Sequence, residues 1–223
     1  MGGTIDFFQG LRLIGWAYPG WCPSALLAHP AQKMNLALYG GTFDPVHHGH
    51  LILAREALEQ LGLDRVIFIP AGLSPHKLAR TPAPGAIRRA LLAAALADEP
   101  RFALDDSELH LPGPNFTSDT VERYAADYPG ARLHYLIGAD NLPELHTWRR
   151  IDELRRRVQF VVFGRKADGV DDAHGFPEVP RRIDISATDI RARVARGASI
   201  RYLVPEAVRT IIAANHLYQE PSH

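Results

Sequence analysis

The chain has 223 residues, enough for one large domain or one with a small appendage at roughly 150 residues per domain. Hydrophobic residues make up 46% and charged residues 22%, which excludes a disordered or fibrous chain and leaves enough apolar side chain for a sizeable core. The 25 Lys and Arg cancel the 25 Asp and Glu, so the broad basic field of a nucleic-acid coater is absent and any phosphate binding must be local; the single Cys22 excludes an internal disulfide or a Cys-rich zinc site and fits a reducing, cytoplasmic compartment.

Residues 10–33 carry two Trp, three Pro and the only Cys without a helical or strand period, and little fixed structure is expected there. Asp6, Arg12 and the prolines interrupt what a secretory signal or a membrane span would need. Met34 directly precedes a strand-like run, so it is the expected functional start, with residues 1–33 an N-terminal extension and residues 34–223 the functional domain. From there strand and helix alternate. Residues 35–39 (NLALY) predict a strand closed by Gly40 and Gly41, and Leu51, Ala54, Ala57, Leu58 and Leu61 repeat at helical spacing. Residues 66–70 (VIFIP) predict a second strand, 87–97 a helix stopped by Pro100, and 102–109 a third strand. Thr117 or Ser118 can cap a helix reaching Tyr128, residues 133–137 (LHYLI) give strand four, 149–157 a helix, and 159–163 (QFVVF) strand five. Residues 206–217 close the chain as an apolar-faced helix, with His216 and Tyr218 read as structural. Apolar strands alternating with helices imply a doubly wound parallel sheet, an α/β fold with a helical C-terminal part.

Such sheets bind ligands beyond the carboxyl ends of their strands. The first such loop reads Gly40-Gly41-Thr42-Phe43-Asp44-Pro45-Val46-His47-His48-Gly49-His50. The glycine pair permits close backbone approach, Asp44-Pro45 fixes a turn, and the following helix offers its free N–H groups to an anion, which together make a phosphate cradle. It matches neither the dinucleotide G-x-G-x-x-G nor the Walker pattern. His47 and His50, three apart at a helix start, can both face the anion while His48 turns away; a metal site is disfavoured because neither Cys nor an H-E-x-x-H spacing accompanies them. Farther on, Ser186 and Asp189 form an S-x-x-D capping box opening a helix that Gly197 ends, a cap compatible with a phosphate seat. Lys77, one of only three lysines, follows the second strand, and Trp148 follows the fourth, where its residue type alone favours a core anchor.

The run GGTFDPVHHGH resembles the G-[ST]-F-D-P-x-H-x-G-H signature of the nucleotidyltransferase superfamily, and Ile185-Ser186-Ala187-Thr188-Asp189-Ile190-Arg191 resembles its second signature, I-S-[SA]-T-x-I-R. Within it, residues 34–218 are most similar to the bacterial nicotinate mononucleotide adenylyltransferase family. The resemblance implies a Rossmann-like fold and transfer of the adenylyl group of ATP to nicotinate mononucleotide, with Mg2+ accompanying ATP. It assigns catalysis to His47, His50, Lys77 and Arg191, and ATP contacts to Gly40, Gly41, Thr42, Phe43, His47, Gly49, His50, Gly138, Asp140, Arg165, Ser186, Thr188 and Arg191. Nicotinate mononucleotide would meet Lys77, Phe116, Thr117 and Trp148, whose ring would stack on the pyridine; His76 belongs to the same P-H-[KR] stretch. Residues 166–175 (KADGVDDAHG) depart from the family's R-P-G-Y pattern after Arg165, which weakens that assignment. The expected partners are the two nucleotides, with neither nucleic acid nor membrane. Nicotinamide mononucleotide or phosphopantetheine remain alternative acceptors, His47 counting against the latter because those enzymes usually carry Thr there, and a nucleotide-binding regulator without catalysis is a further alternative.

Overall fold

The computed structural model describes residues 33–72, 81–163 and 175–219, and residues 34–223 make up one unit. Six strands form a single all-parallel sheet in the order β3-β2-β1-β4-β5-β6: β1 (Asn35–Gly41), β2 (Arg65–Pro70), β3 (Phe102–Leu104), β4 (Arg132–Gly138), β5 (Val158–Phe163) and β6 (Glu178–Val179). The helices are α1 (His48–Gln60), α2 (Gly85–Leu96), α3 (Thr117–Asp127), α4 (Ile151–Arg157), α5 (Ala187–Ala195) and α6 (Glu206–Ala214). The predicted doubly wound sheet is the one found, and its order reverses between β1 and β4.

The strands are apolar on both faces because both are covered. Ala37 and Tyr39 of β1 pack with Ala54, Leu58, Leu91, Leu92, Val208 and Ile212, so α1, α2 and α6 cover one face. Leu36 and Leu38 pack with Val121, Tyr124 and Leu154, placing α3 and α4 on the other. The period-two alternation within β1 thus feeds two separate cores.

Several boundaries differ from the sequence expectation. The third strand stops at Leu104 because the next residue turns inward: the Asp105 carboxylate accepts from Arg123 Nη2 at 2.6 Å, from the Tyr124 hydroxyl at 2.8 Å and from the Ser107 N–H at 3.0 Å. Residues Ser107–Leu109 then make a 3-10 turn instead of more strand. Neither Thr117 nor Ser118 caps α3; Phe116 is its N-cap residue, and it contributes no side-chain bond. Helix α4 begins at Ile151 rather than Arg149, since Arg150 stands before it in the left-handed region at φ 56°. The last helix ends at Ala214, ahead of turns that carry the chain through His216 (φ 49°) and Tyr218 (φ 62°). The 3-10 stretch Ala139–Thr147 and the two-residue β6 had no counterpart in the reading of the sequence.

Candidate active site

The carboxyl ends of β1 and β4 lie side by side at the point where the strand order reverses, the place where open α/β sheets take their ligands. Residues 42–47 leave β1 there. Thr42 is half-buried, whereas Phe43, Asp44 and His47 are buried. Gly40 allows the loop to begin tight against β4: a Cβ on it would stand 2.3 Å from the Tyr135 hydroxyl oxygen. Gly49 has a similar reason, since a Cβ there would come within 2.9 Å of His47 Nδ1.

The two outer histidines of the loop lie together. Their rings stack with centroids 3.7 Å apart, and the His47 N–H donates to His50 Nδ1 at 3.2 Å. That bond keeps Nδ1 of a neutral His50 unprotonated, so its ring proton sits on Nε2, a fixed donor. His47 is held neutral: burial, reinforced by nearby His48, lowers its pKa to about 4. Its Nδ1 has no hydrogen-bond partner among the described residues. His48 opens α1, and its backbone N–H donates to the Leu203 carbonyl at 2.9 Å.

The second motif joins the first. Ser186 Oγ accepts the Asp189 N–H at 3.1 Å, the cap foreseen for α5. Arg191, one turn into α5, donates from Nη1 to the Asp44 carbonyl at 2.7 Å and from Nη2 to Thr188 Oγ1 at 3.1 Å. Residues 147 positions apart in the chain therefore meet at one end of the sheet, where Ser186 and Thr188 are exposed and Arg191 is half-buried.

On the far side of the reversal point, Gly138 ends β4 and Asp140 is exposed just beyond it, close enough that a Cβ on Gly138 would lie 2.3 Å from Asp140 Oδ1. Trp148 is partly buried and meets the rings of Tyr135 (6.0 Å, 89°) and Phe160 (6.2 Å, 74°) edge-on. Thr117 Oγ1 lies 3.3 Å from the Tyr135 hydroxyl, and the Arg149 guanidinium sits over the Phe116 ring at 4.7 Å. Phe116, Thr117 and Trp148 thus share one neighbourhood around Tyr135, at the uncapped start of α3. His76, Lys77 and Arg165 lie outside the described residues.

Three residues that sequence reasoning passed over organise this site. Tyr135 sits inside β4 beside Gly40, Thr117 and Trp148, and burial pushes its phenol up to about 12, which keeps it a donor. Its signal was a polar tip within an apolar strand. Arg88, only 3% exposed on α2, donates to the carbonyls of Thr42 (3.0 Å), Ala71 (2.8 Å) and Ala83 (2.9 Å), pinning the loops that follow β1 and β2. Nothing in the helical periodicity distinguished it from neighbouring Arg89. Tyr218 was read as structural, yet its hydroxyl donates to Asp44 Oδ1 at 2.7 Å.

Among the described residues, no group of three or more His, Cys, Asp or Glu is arranged to hold a metal ion, and no helix is long and apolar enough to cross a membrane. The arrangement can present imidazole groups, helix N-termini and a guanidinium to a polyphosphate.

Residues 38–193 match the family model described as cytidylyltransferase-like. A protein of Synechococcus sp. named "probable nicotinate-nucleotide adenylyltransferase" is 38% identical over 202 residues, covering 85% of this chain and 97% of its own. One of the same name from Exiguobacterium sibiricum is 42% identical over 192 residues, covering 83% and 99%. Among solved structures, the nicotinic acid mononucleotide adenylyltransferase of Plasmodium falciparum complexed with NaAD superposes with a TM-score of 0.70 at 16% identity, covering 83% of this chain and 98% of that one, a likeness of fold.

Proposed function

The chain belongs to the cytidylyltransferase-like family and, within it, to the nicotinate-nucleotide adenylyltransferases, and on that footing we propose that it joins ATP and nicotinate mononucleotide into nicotinate adenine dinucleotide, a step of NAD biosynthesis. A phosphate oxygen of the mononucleotide attacks the α-phosphorus of ATP. The bond from that phosphorus to the bridging oxygen breaks, and pyrophosphate leaves with the electron pair. No covalent enzyme intermediate is needed, so the protein's task is to align two anions and to stabilise charge on the equatorial and leaving oxygens.

The observation that carries this reading is the bond from Arg191 to the Asp44 carbonyl, which brings both signature motifs to one strand end. In this proposal His47, His50 and the start of α1 serve the α-phosphate, while Ser186, Thr188 and Arg191 serve the β- and γ-phosphates. Gly40, Gly41, Thr42, Phe43 and Gly49 give close backbone approach, and Gly138 and Asp140 border the nucleoside. Lys77 and Arg165 add cations. The uncapped start of α3 at Phe116 and Thr117 would take the nicotinate carboxylate, and Trp148 would stack on the pyridine ring. The family's divalent cation we read as Mg2+ arriving on ATP, held by phosphate oxygens and water, which suits a site whose described residues offer no carboxylate cage. We place the enzyme in the cytoplasm, in keeping with its single cysteine.

The test is pyrophosphate release from ATP with nicotinate mononucleotide, nicotinamide mononucleotide or phosphopantetheine as acceptor. Release with the first at far higher kcat/KM than with the others is the expected result. Preference for another acceptor would reassign the substrate, and ATP binding without release in any mixture would make the chain a nucleotide-binding regulator.

A further inference from the structure

The Asp44 carboxylate has no part in the mechanism above, although it is only 4% exposed and lies in the middle of the phosphate-binding loop. A buried carboxylate survives only if its oxygens are well supplied with donors or countercharge. Its Oδ1 accepts the Tyr218 hydroxyl at 2.7 Å and the Ala83 N–H at 3.3 Å. Its charge also favours the protonated form of buried Arg88, which burial by itself disfavours. The same residue's backbone carbonyl receives Arg191. One residue therefore has its side chain held by the end of the chain and its main chain aimed at the second motif.

The approach of Tyr218 is forced. His216 and Tyr218 both adopt left-handed backbone, at φ 49° and 62°, and Phe43 beside Asp44 does so at 48°. Non-glycine residues in that region are strained and persist where surrounding contacts over-determine them. Two such residues within three positions bring a phenol from beyond α6 onto a loop 174 positions away.

We propose that Tyr218 is a positioning residue for adenylyl transfer: its hydroxyl bond to Asp44 fixes the loop shape in which the Asp44 carbonyl orients Arg191 toward the ATP phosphates. This rests on the reading of the site as one that uses ATP. Loss of the hydroxyl removes one of the donors that hold this buried carboxylate, and the loop relaxes to compensate. Because Arg191 hangs on the same residue, it moves with the loop, while the nicotinate side, built on α3 and β4, does not.

The experiment uses the full chain with Tyr218→Phe, Asp44→Ala and the double variant. Binding of α,β-methylene-ATP is measured by calorimetry and pyrophosphate release by steady-state kinetics. Tyr218→Phe should weaken binding of the analogue by about 10-fold and lower kcat by about 10-fold, with KM for nicotinate mononucleotide within about twofold. In the double variant Tyr218→Phe should add less than about twofold to Asp44→Ala, because both break the same bond. Leu217→Ala, a packing lesion next door, should lower the melting temperature yet leave analogue affinity unchanged in the folded protein. The proposal is overturned if Tyr218→Phe behaves as wild type, if the two substitutions add fully, or if both substrates weaken alike. Wild-type protein that binds the analogue but does not turn over would sink the adenylyltransferase reading while the binding arm still judges Tyr218. A wild type that does not bind the analogue would remove both.

Discussion

His47 and His50 illustrate how one residue type takes different tasks from its surroundings. The bond from the His47 N–H to His50 Nδ1 gives a neutral His50 a fixed tautomer, so in the proposed reaction its Nε2 proton would be in place before charge develops on the transferring phosphate. His50→Ala is expected to lower kcat by roughly 10²- to 10³-fold while changing KM for ATP much less, since a single preorganised donor of this kind acts mainly in the transition state. His48→Ala should have a far smaller effect, because the bond at position 48 comes from its backbone N–H to Leu203. Steady-state kinetics on both variants checks the pair; equal losses would mean that the wrong histidines were chosen. The pairing of His47 with His50 was legible in the sequence because their spacing at a helix start sets them on one side of the turn. Arg88 and Tyr218 were not, because a charge on a helix and a tyrosine near the end of a chain read as surface and packing until a buried carboxylate from another element is set beside them.

At the scale of elements, β4 carries two further expectations. Trp148, beyond its end, meets Tyr135 and Phe160 edge-on yet is only partly buried, so packing occupies part of the ring and leaves part for the stacking proposed above. Trp148→Ala should therefore cost about 1 to 3 kcal/mol of stability, below the 3 to 5 of a fully buried ring, and also weaken nicotinate mononucleotide selectively, ATP affinity staying near wild type. A thermal melt beside titrations with each substrate separates the two effects. His134, in the same strand, is 3% exposed, and neither ring nitrogen has a hydrogen-bond partner among the described residues. Burial, aided by Arg132, holds its pKa below the usual value, as burial does for His47 at about 4. The folded chain then binds fewer protons than the unfolded one below about pH 6.5, so stability is complete above that value and is lost as pH falls toward 4. His47 contributes on the order of 3 kcal/mol to that loss. His134→Leu should flatten the slope of unfolding free energy between pH 7 and 5 without lowering stability at pH 7, as read by urea titration at several pH values. An unchanged slope would mean that His134 finds a partner in solution. The long strands were legible because each is an apolar run bounded by Gly, Pro or charge. Two-residue β6 has no period to detect, and the early end of β3 depends on Asp105 finding Arg123 and Tyr124, a contact of tertiary structure.

For the whole molecule, two expectations concern what the enzyme needs. A chain beginning at Met34 should fold and keep kcat and KM within about twofold, because every residue assigned above follows it; loss of the cooperative melt would make residues 1–33 part of the fold. Chelation with EDTA should stop pyrophosphate release and leave the melting temperature of the substrate-free protein unchanged, since a cation that arrives on ATP stabilises nothing beforehand. A lowered melting temperature would reveal a resident ion. The order β3-β2-β1-β4-β5-β6 bears on how the protein is made. Strand β1 ends at Gly41, but its second neighbour begins only at Arg132, so at about 5–20 residues per second a ribosome takes roughly 5 to 20 s to supply the partner. Throughout that interval the nascent sheet has an open, aggregation-prone edge at its centre rather than at its rim. The hydrogen bond from Tyr218 to Asp44 comes later still, so the loop after β1 is set only once the sheet can pair, and on the proposal above a nascent chain with its sheet already paired would remain catalytically unfinished until the residues beyond α6 have left the ribosome.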